Sequence, residues 1–281
     1  MSEGVRVWVD GTLIESGGLA LSPIDHGVTV GDGVFETMKI VDGQAFALTR
    51  HLRRLDRSLT GLGLEPADHD HIREGVEAVL AGDAIPFGRL RVTVTAGAGP
   101  LGSDRGDAAM TYVVAAGAAP RPTPTVRIAT VPWTRNETSA VAGLKTTSYA
   151  ENVVALARVK SLGAAEALFG NTKGELCECT GSNVFVVLDG VVRTPPLESG
   201  CLAGITRALT IEWAREAGIE VREEAMPLDV VHRAEEVFLT GTTRDVHPVA
   251  AVDDRELDAP GPVTARLAEI FAQRASERLD P

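Results

Sequence analysis

Val34-Phe-Glu-Thr-Met-Lys-Ile-Val-Asp-Gly-Gln-Ala-Phe-Ala-Leu48 decides how the first half of the chain folds. Its β-branched and aromatic residues predict a strand to Val41, a two-residue turn at Asp42-Gly43 and a returning strand from Gln44 to Leu48. Asp-Gly suits that turn because both residues tolerate the positive φ angles of a tight hairpin. The same signal stands upstream, with Val5 to Val9, Asp10-Gly11 and Thr12 to Ile14. Downstream, Thr49 is placed to cap a helix carrying Leu52, Leu55, Leu59 and Leu62 at helical spacing, closed near Gly61 to Gly63. A second helix is predicted from about Ala67 to Ala81, then strands at Arg89 to Thr95 and Met110 to Ala115. Hairpin-linked strands with helices to cover one face make an α+β domain.

Gly117 to Pro124, with Pro120, Pro122 and Pro124, reads as a stiff connector. Residues 1–118 are therefore expected to form a smaller α+β domain, 119–124 a linker and 125–281 a larger domain. In the latter, strands are predicted at Val126 to Val131, Ala165 to Phe169, Val184 to Leu188, Val191 to Arg193, Ile219 to Glu223 and Glu236 to Thr240. Helices are predicted over Tyr149 to Leu162, over Ile205 to Ala217 (stopped by Gly218) and over Pro262 to Ala275.

With 281 residues, 44% of them hydrophobic, the chain is long enough to bury two modest cores. A formal net charge of −12 argues against a nucleic-acid partner, which needs concentrated Lys and Arg. No apolar run approaches the roughly 20 residues of a membrane span. Three cysteines, Cys177, Cys179 and Cys201, do not make a disulfide framework, and Met1 to Val9 shows no signal pattern, so a cytoplasmic protein is expected. Gly97-Ala-Gly-Pro-Leu-Gly102 has dinucleotide-site spacing, but Pro100 and Ser103 to Gly106 continue a loop where a helix should start, so an active-site loop is the better reading. Leu144-Lys-Thr146 lacks the glycines of a P-loop. Cys177-Glu-Cys179 lacks the further ligands of a metal site, and none is expected.

Only four lysines occur: Lys39, Lys145, Lys160 and Lys173. An amine that reacts with a carbonyl should sit in a partly dry place, where the neutral form is favoured. Lys160 lies mid-helix beside Arg158, Lys173 at a turn tip, and Lys39 on a strand that could face either way. Lys145 stands in Ala140-Val-Ala-Gly-Leu-Lys-Thr-Thr-Ser148, nearly uncharged, at a strand-to-helix junction. From this stretch alone, a surface lysine near a helix start is an equal reading. A pyridoxal ring on that amine would also need an acid against its ring nitrogen and donors for its phosphate. Glu178, between a glycine turn and an apolar strand, is a candidate acid; a salt-bridged edge glutamate reads equally well there. Gly204-Ile-Thr206 opens a helix, whose free N–H groups suit phosphate, and Thr240-Gly-Thr-Thr243 ends a strand with small hydroxyl residues.

Together these stretches resemble the class IV aminotransferase family, the fold-type IV pyridoxal-phosphate enzymes. The matches run from Asp25-His-Gly27 and Gly31 to Thr37, through His51-Leu-Arg-Arg-Leu55 and Gly143-Leu-Lys145. They continue in Glu178 to Phe185, Thr194-Pro-Pro196, Leu202 to Arg207 and Thr240 to Val246. The resemblance implies a two-domain fold like that of the D-amino acid and branched-chain aminotransferases, with pyridoxal 5′-phosphate as cofactor. It also implies an amino-acid-like substrate and a homodimer in which the partner's loop closes each site. By the same resemblance Lys145 is the Schiff-base lysine and general acid/base, and Glu178 the carboxylate at the ring nitrogen. Arg54 is the phosphate arginine, with Ile205, Thr206 and Thr242 completing the cradle. Phe35 falls at a substrate-facing aromatic position, and Arg91 and Arg244 are candidates for the substrate's acid groups. Gly163 to Leu168 and Glu178-Cys-Thr look most like the 4-amino-4-deoxychorismate lyase branch, a source of 4-aminobenzoate for folate. Ala164 stands where branched-chain enzymes usually have tyrosine. The lyase is therefore the leading expectation, transamination of branched-chain L- or D-amino acids the alternative, and a non-catalytic dimeric binding protein the reading from another class.

Overall fold

The computed structural model describes residues 4–14, 18 and 20–281. Contacts divide the chain into two compact units: Met1–Arg121 with Leu144–Tyr149 and Leu279–Pro281, and Pro122–Gly143 with Ala150–Arg278. The linear division at 118 and 125 thus misses two returns of the chain, Leu144–Tyr149 and Leu279–Pro281. The segment holding Lys145 groups with the first unit, because Thr146 bridges Val34 and Thr147 N–H donates to Gly33 O at 2.8 Å.

In the first unit, β1 (Arg6–Val9), β2 (Thr12–Ile14), β3 (Gly33–Val41), β4 (Gln44–Ala45), β5 (Phe87–Thr95) and β6 (Thr111–Ala118) form one sheet, ordered β2-β1-β6-β5-β3-β4. All its pairs are antiparallel. Both hairpin turns have positive φ at both central residues, 42° and 92° at Asp10 and Gly11, 48° and 78° at Asp42 and Gly43. That is the turn Asp-Gly favours. A short helix, α1 (His26–Thr29), precedes β3, and α2 (Leu48–Gly61) and α3 (His69–Leu80) follow β4. Leu52, Leu55 and Leu59 of α2 pack with Trp8, Met38, Leu90 and Val114 in the core. Burying each large apolar side chain there contributes on the order of 1.5–3 kcal/mol.

Thr49 does not cap α2. The N-cap is Ala47, left-handed at φ 58° and without a side-chain cap. Thr49 lies in the first turn, where its N–H and hydroxyl donate to the Asp280 carboxylate at 3.0 and 2.6 Å. The chain's C-terminal residues supply the anion this helix end favours, which no local motif could announce.

The second unit contains β7 (Val126–Arg135), α4 (Ala150–Ser161), β8 (Glu166–Asn171), β9 (Leu176–Cys179), β10 (Asn183–Leu188) and β11 (Val191–Thr194). It continues with α5 (Ile205–Glu216), β12 (Val221–Glu223), β13 (Glu236–Gly241), β14 (Asp245–Val252), β15 (Arg255–Glu256) and α6 (Pro262–Glu277). The strands run β10-β13-β14-β7-β8-β9, and β9 returns to β10 through Asn183 and Glu178, which closes a barrel. Val126, Ile128, Leu168, Val184, Leu239 and Val249 fill its core. β9 and β14 were not anticipated. β9 is four residues, and β14 contains Pro248, which removes a ladder donor. Pairing of β14 with β7 begins at Val249, one residue beyond the proline. Among the described residues, no helix is long and apolar enough to cross a membrane.

Candidate active site

In the first unit the chain around Lys145 is tied down by its backbone. Its N–H donates to Ser58 Oγ at 3.1 Å, and its carbonyl accepts Phe35 N–H at 3.0 Å. Thr147 Oγ1 adds a bond to Gly31 O at 2.9 Å. Gly31 has φ +71°, and a Cβ there would meet Ser148 Oγ at 2.7 Å, so the close approach needs glycine. The amine lies 4.4 Å from the centroid of the buried Phe35 ring and 3.5 Å from Tyr149 Oη. Phe35 and Tyr149 meet edge to face at 5.0 Å. The Arg91 guanidinium stacks over Phe35 at 3.7 Å, and its Nε donates to Thr93 Oγ1. Lys145, Phe35 and Arg91 are thus brought together; Tyr149, four residues past the lysine, was overlooked in the sequence.

Behind the lysine strand, α2 buries a polar stripe of His51, Arg54 and Ser58 at helical spacing. Arg54 Nε and Nη2 grip Glu36 at 2.7 and 2.6 Å, a bidentate pair. His51 Nδ1 lies 2.7 Å from the same carboxylate. Burial would raise the Glu36 pKa, but Arg54's charge and bonds, with help from His51, outweigh it and hold the group well below the ordinary range. Burial is the main cause of a lowered His51 pKa, opposed by Glu36 and reinforced by Arg54 and Lys145. The imidazole is therefore neutral near pH 7 and donates from Nδ1. Arg54, expected to meet phosphate, has the plane of its guanidinium set by Glu36, a partner the sequence reading missed.

The second unit gathers Glu178, Thr206 and their neighbours. Glu178 Oε2 accepts Leu202 N–H at 2.9 Å, and Oε1 lies 3.3 Å from Arg135 Nε. Arg135 is the cation a half-buried carboxylate needs; it also bonds Glu151 and Asn152 and stacks over Phe169 at 4.0 Å. In register, Asn183 faces Glu178 on one side and Thr240 on the other. Its amide donates to Leu202 O, and a Cβ on Gly204 would meet its Oδ1 at 2.0 Å. Gly204 is the N-cap of α5 and offers no side-chain cap, so the first-turn N–H groups from Ile205 onward have no capping oxygen. On β13, opposite Asn183, Thr240 Oγ1 is buried without a hydrogen-bond partner among the described residues. Thr242 lies in the turn from β13 to β14. An uncapped helix start, an orphaned hydroxyl and a propped carboxylate are a donor set that fits an anionic ester at one end and a protonated ring nitrogen at the other.

Arg244 has partners of its own in this unit. Its guanidinium lies 3.3 Å from buried Glu166 and 3.2 Å from His247 Nδ1, so its charge is engaged within the unit. Glu166 also accepts Gly181 N–H and the hydroxyls of Thr180 and Ser182. The three cysteines are free and buried. Burial raises their thiol pKa values, that of Cys201 to about 11, so none is a thiolate at neutral pH.

The amino-transferase class IV family model matches residues 33–252, and the chain belongs to that family. A putative branched-chain-amino-acid aminotransferase of Methanocaldococcus jannaschii is 32% identical over 95% of each chain. The aminodeoxychorismate lyase of Bacillus subtilis is 30% identical, covering 88% of this chain and 87% of its own. Among solved structures, a hypothetical aminotransferase from Mycobacterium tuberculosis in its PLP-bound form is 26% identical. It superimposes with a TM-score of 0.85 over 98% of this chain and 100% of that one. The protein is an enzyme of a family that works with pyridoxal 5′-phosphate, on the two-domain α+β fold expected.

Proposed function

We propose that this enzyme is a 4-amino-4-deoxychorismate lyase, forming 4-aminobenzoate and pyruvate. The observation that carries the reading is the Arg91 guanidinium over the ring of Phe35, which Lys145 Nζ also faces. An amine and a receptor for a carboxylate share one aromatic surface. The similarity to the Bacillus subtilis lyase supports this reaction, as do the Gly163 to Leu168 stretch and buried Ala164 in place of tyrosine.

The cofactor, when bound, supplies an electron-withdrawing ring that eases loss of a proton from the carbon bearing the substrate nitrogen. Lys145 would hold it through the amine, Glu178 would stand against the ring nitrogen, and Arg54, Ile205, Thr206 and Thr242 would hold its phosphate. Leu202 N–H and Arg135 orient Glu178. Arg91 binds the substrate's acid group, and Lys145 Nζ, freed by the incoming substrate amine, takes the proton from the α-carbon. Tyr149 Oη, 3.5 Å from that amine, holds it in place through the transfer. As the proton leaves, the carbon–oxygen bond to the enolpyruvyl group breaks and the substrate ring becomes aromatic. The departing enolate takes up a proton to give pyruvate.

A second reading, transamination of branched-chain L- or D-amino acids, is favoured by the similarity to the Methanocaldococcus jannaschii protein. Two assays in parallel separate them: 4-aminobenzoate release, and 2-oxoacid formation from L- and D-amino acids. Brisk 2-oxoacid formation without 4-aminobenzoate overturns the lyase assignment. A cytoplasmic homodimer that supplies folate synthesis accords with the lyase reading.

A further inference from the structure

Two supports place the Lys145 backbone, both within the first unit: Ser58 on α2, and the carbonyls of Gly31 and Gly33 that hold Thr147. Asp32 sits between those glycines, and its carboxylate accepts bonds of 2.7 Å from both Nε and Nη2 of Arg105. The same guanidinium reaches the end of α2, where Nη2 donates to Leu62 O at 2.8 Å and Nη1 to Gly63 O at 3.2 Å. One side chain thus ties the two supports of the lysine to each other. The loop that carries it, residues 97–106, is itself seated on α1 and the turn before it. His26 N–H donates to Gly97 O at 2.8 Å, Gly99 N–H to Ile24 O at 3.1 Å, and His26 Nε2 lies 2.9 Å from Pro100 O. A Cβ on Gly99 would meet the His26 ring at 2.5 Å, so the loop lies directly on that imidazole. The Arg105 and Asp32 side chains are 35% and 14% exposed, and an isolated ion pair so open to water adds little to stability. A planar fork that meets a carboxylate and two carbonyls at once instead fixes their spacing.

We propose that Arg105 is a positioning residue for the reacting amine: it locks residues 31–33 to the end of α2 and so fixes where Lys145 stands. The proposal rests on Lys145 being that amine, which borohydride labelling of the holoenzyme tests separately. It gives the loop a task within its own unit, carried by a guanidinium turned toward the backbone that bears the lysine.

Hydrogen exchange of the full-length, cofactor-free protein, read by peptide mass spectrometry, tests the first consequence. Arg105→Gln should speed exchange in Leu144–Tyr149 by about fivefold or more, the scale of a hydrogen bond to a charged group, and leave α3 unchanged. Kinetics of the holoenzyme test the second, in whichever of 4-aminobenzoate release or 2-oxoacid formation wild type performs. There kcat should fall about tenfold with KM within about threefold, because small displacements of a reacting group are costly. Arg105→Lys keeps the charge without the fork and should lose nearly as much. Asp32→Asn should behave alike, and joining it to Arg105→Gln should add less than about twofold, since the pair acts as one unit. Unchanged exchange in Leu144–Tyr149, exchange that quickens equally in α3, or a loss confined to KM would each overturn the proposal. With the label still on Lys145, those results leave the reading of that lysine intact. Label on another lysine would overturn that reading, and this inference with it.

Discussion

Replacing Glu36 by glutamine tests how the first unit holds Arg54. Glu36 is fully buried, and its two oxygens take two bonds from Arg54 and one from His51. Removing one partner of a buried ion pair costs about 3–5 kcal/mol, because the remaining charge stays desolvated. Glutamine keeps the shape and one acceptor oxygen, so the low end, about 3 kcal/mol, is expected. With a urea slope of about 1.5–3 kcal/mol per molar, the midpoint should fall by about 1–2 M. Cofactor-free protein should be used, followed by fluorescence that includes buried Trp8 of this unit. The sign of the pH dependence follows from the pKa shifts. Glu36 is depressed from an ordinary value of 4.5, so its contribution is complete above that pH and is lost as pH falls below it. His51 is depressed from 6.5, so folding also weakens as pH falls below 6.5, where the unfolded chain takes up the proton more readily. The gap between wild type and Glu36→Gln should therefore hold at neutral pH and narrow below about pH 4.5. A midpoint shift under about 0.3 M, or a gap that widens below about pH 4.5, would show that Glu36 does not hold Arg54 in this way.

Gly204→Ala would drive a Cβ to 2.0 Å from Asn183 Oδ1 at the start of α5. It should cost about 1–3 kcal/mol and weaken pyridoxal-phosphate binding about tenfold or more by absorbance titration; unchanged affinity would remove α5 from the cradle. Tyr149→Phe deletes the hydroxyl 3.5 Å from Lys145 Nζ. A fall in kcat of about tenfold is expected, with a changed pH profile and KM within about threefold; a loss confined to KM would make Tyr149 a substrate contact only. Asp280→Ala removes the distant cap of α2, so Tm should fall by a few degrees, for about 1 kcal/mol, with kcat unchanged.

The first sheet was legible because its signals are local. Asp10-Gly11 and Asp42-Gly43 fix two hairpins, and leucines at helical spacing mark the buried side of α2. The barrel was less so. Its β9 is too short to show a period, and β14 is interrupted by Pro248. At the site, charge and surroundings made Lys145 and Glu178 no more than even candidates, and the family resemblance picked them out with Arg91; the groups set against them lie far away in sequence. Arg135 reaches Glu178 from 43 residues upstream, and Glu36 meets Arg54 from the neighbouring strand, 18 residues before it. Arg244 likewise has Glu166 set against it from 78 residues away. Spacing reveals which face a residue occupies, not what the fold sets against it.

Of the four lysine amines, Lys145 is the one proposed to carry the cofactor. Borohydride reduction of the holoenzyme, followed by proteolysis and peptide mass spectrometry, reads the attachment point directly. The mass of a pyridoxyl phosphate group should be found on the peptide containing Lys145, and Lys145→Ala should yield no labelled peptide. Label on Lys39, Lys160 or Lys173 instead, or no label in a protein saturated with cofactor, would contradict the account.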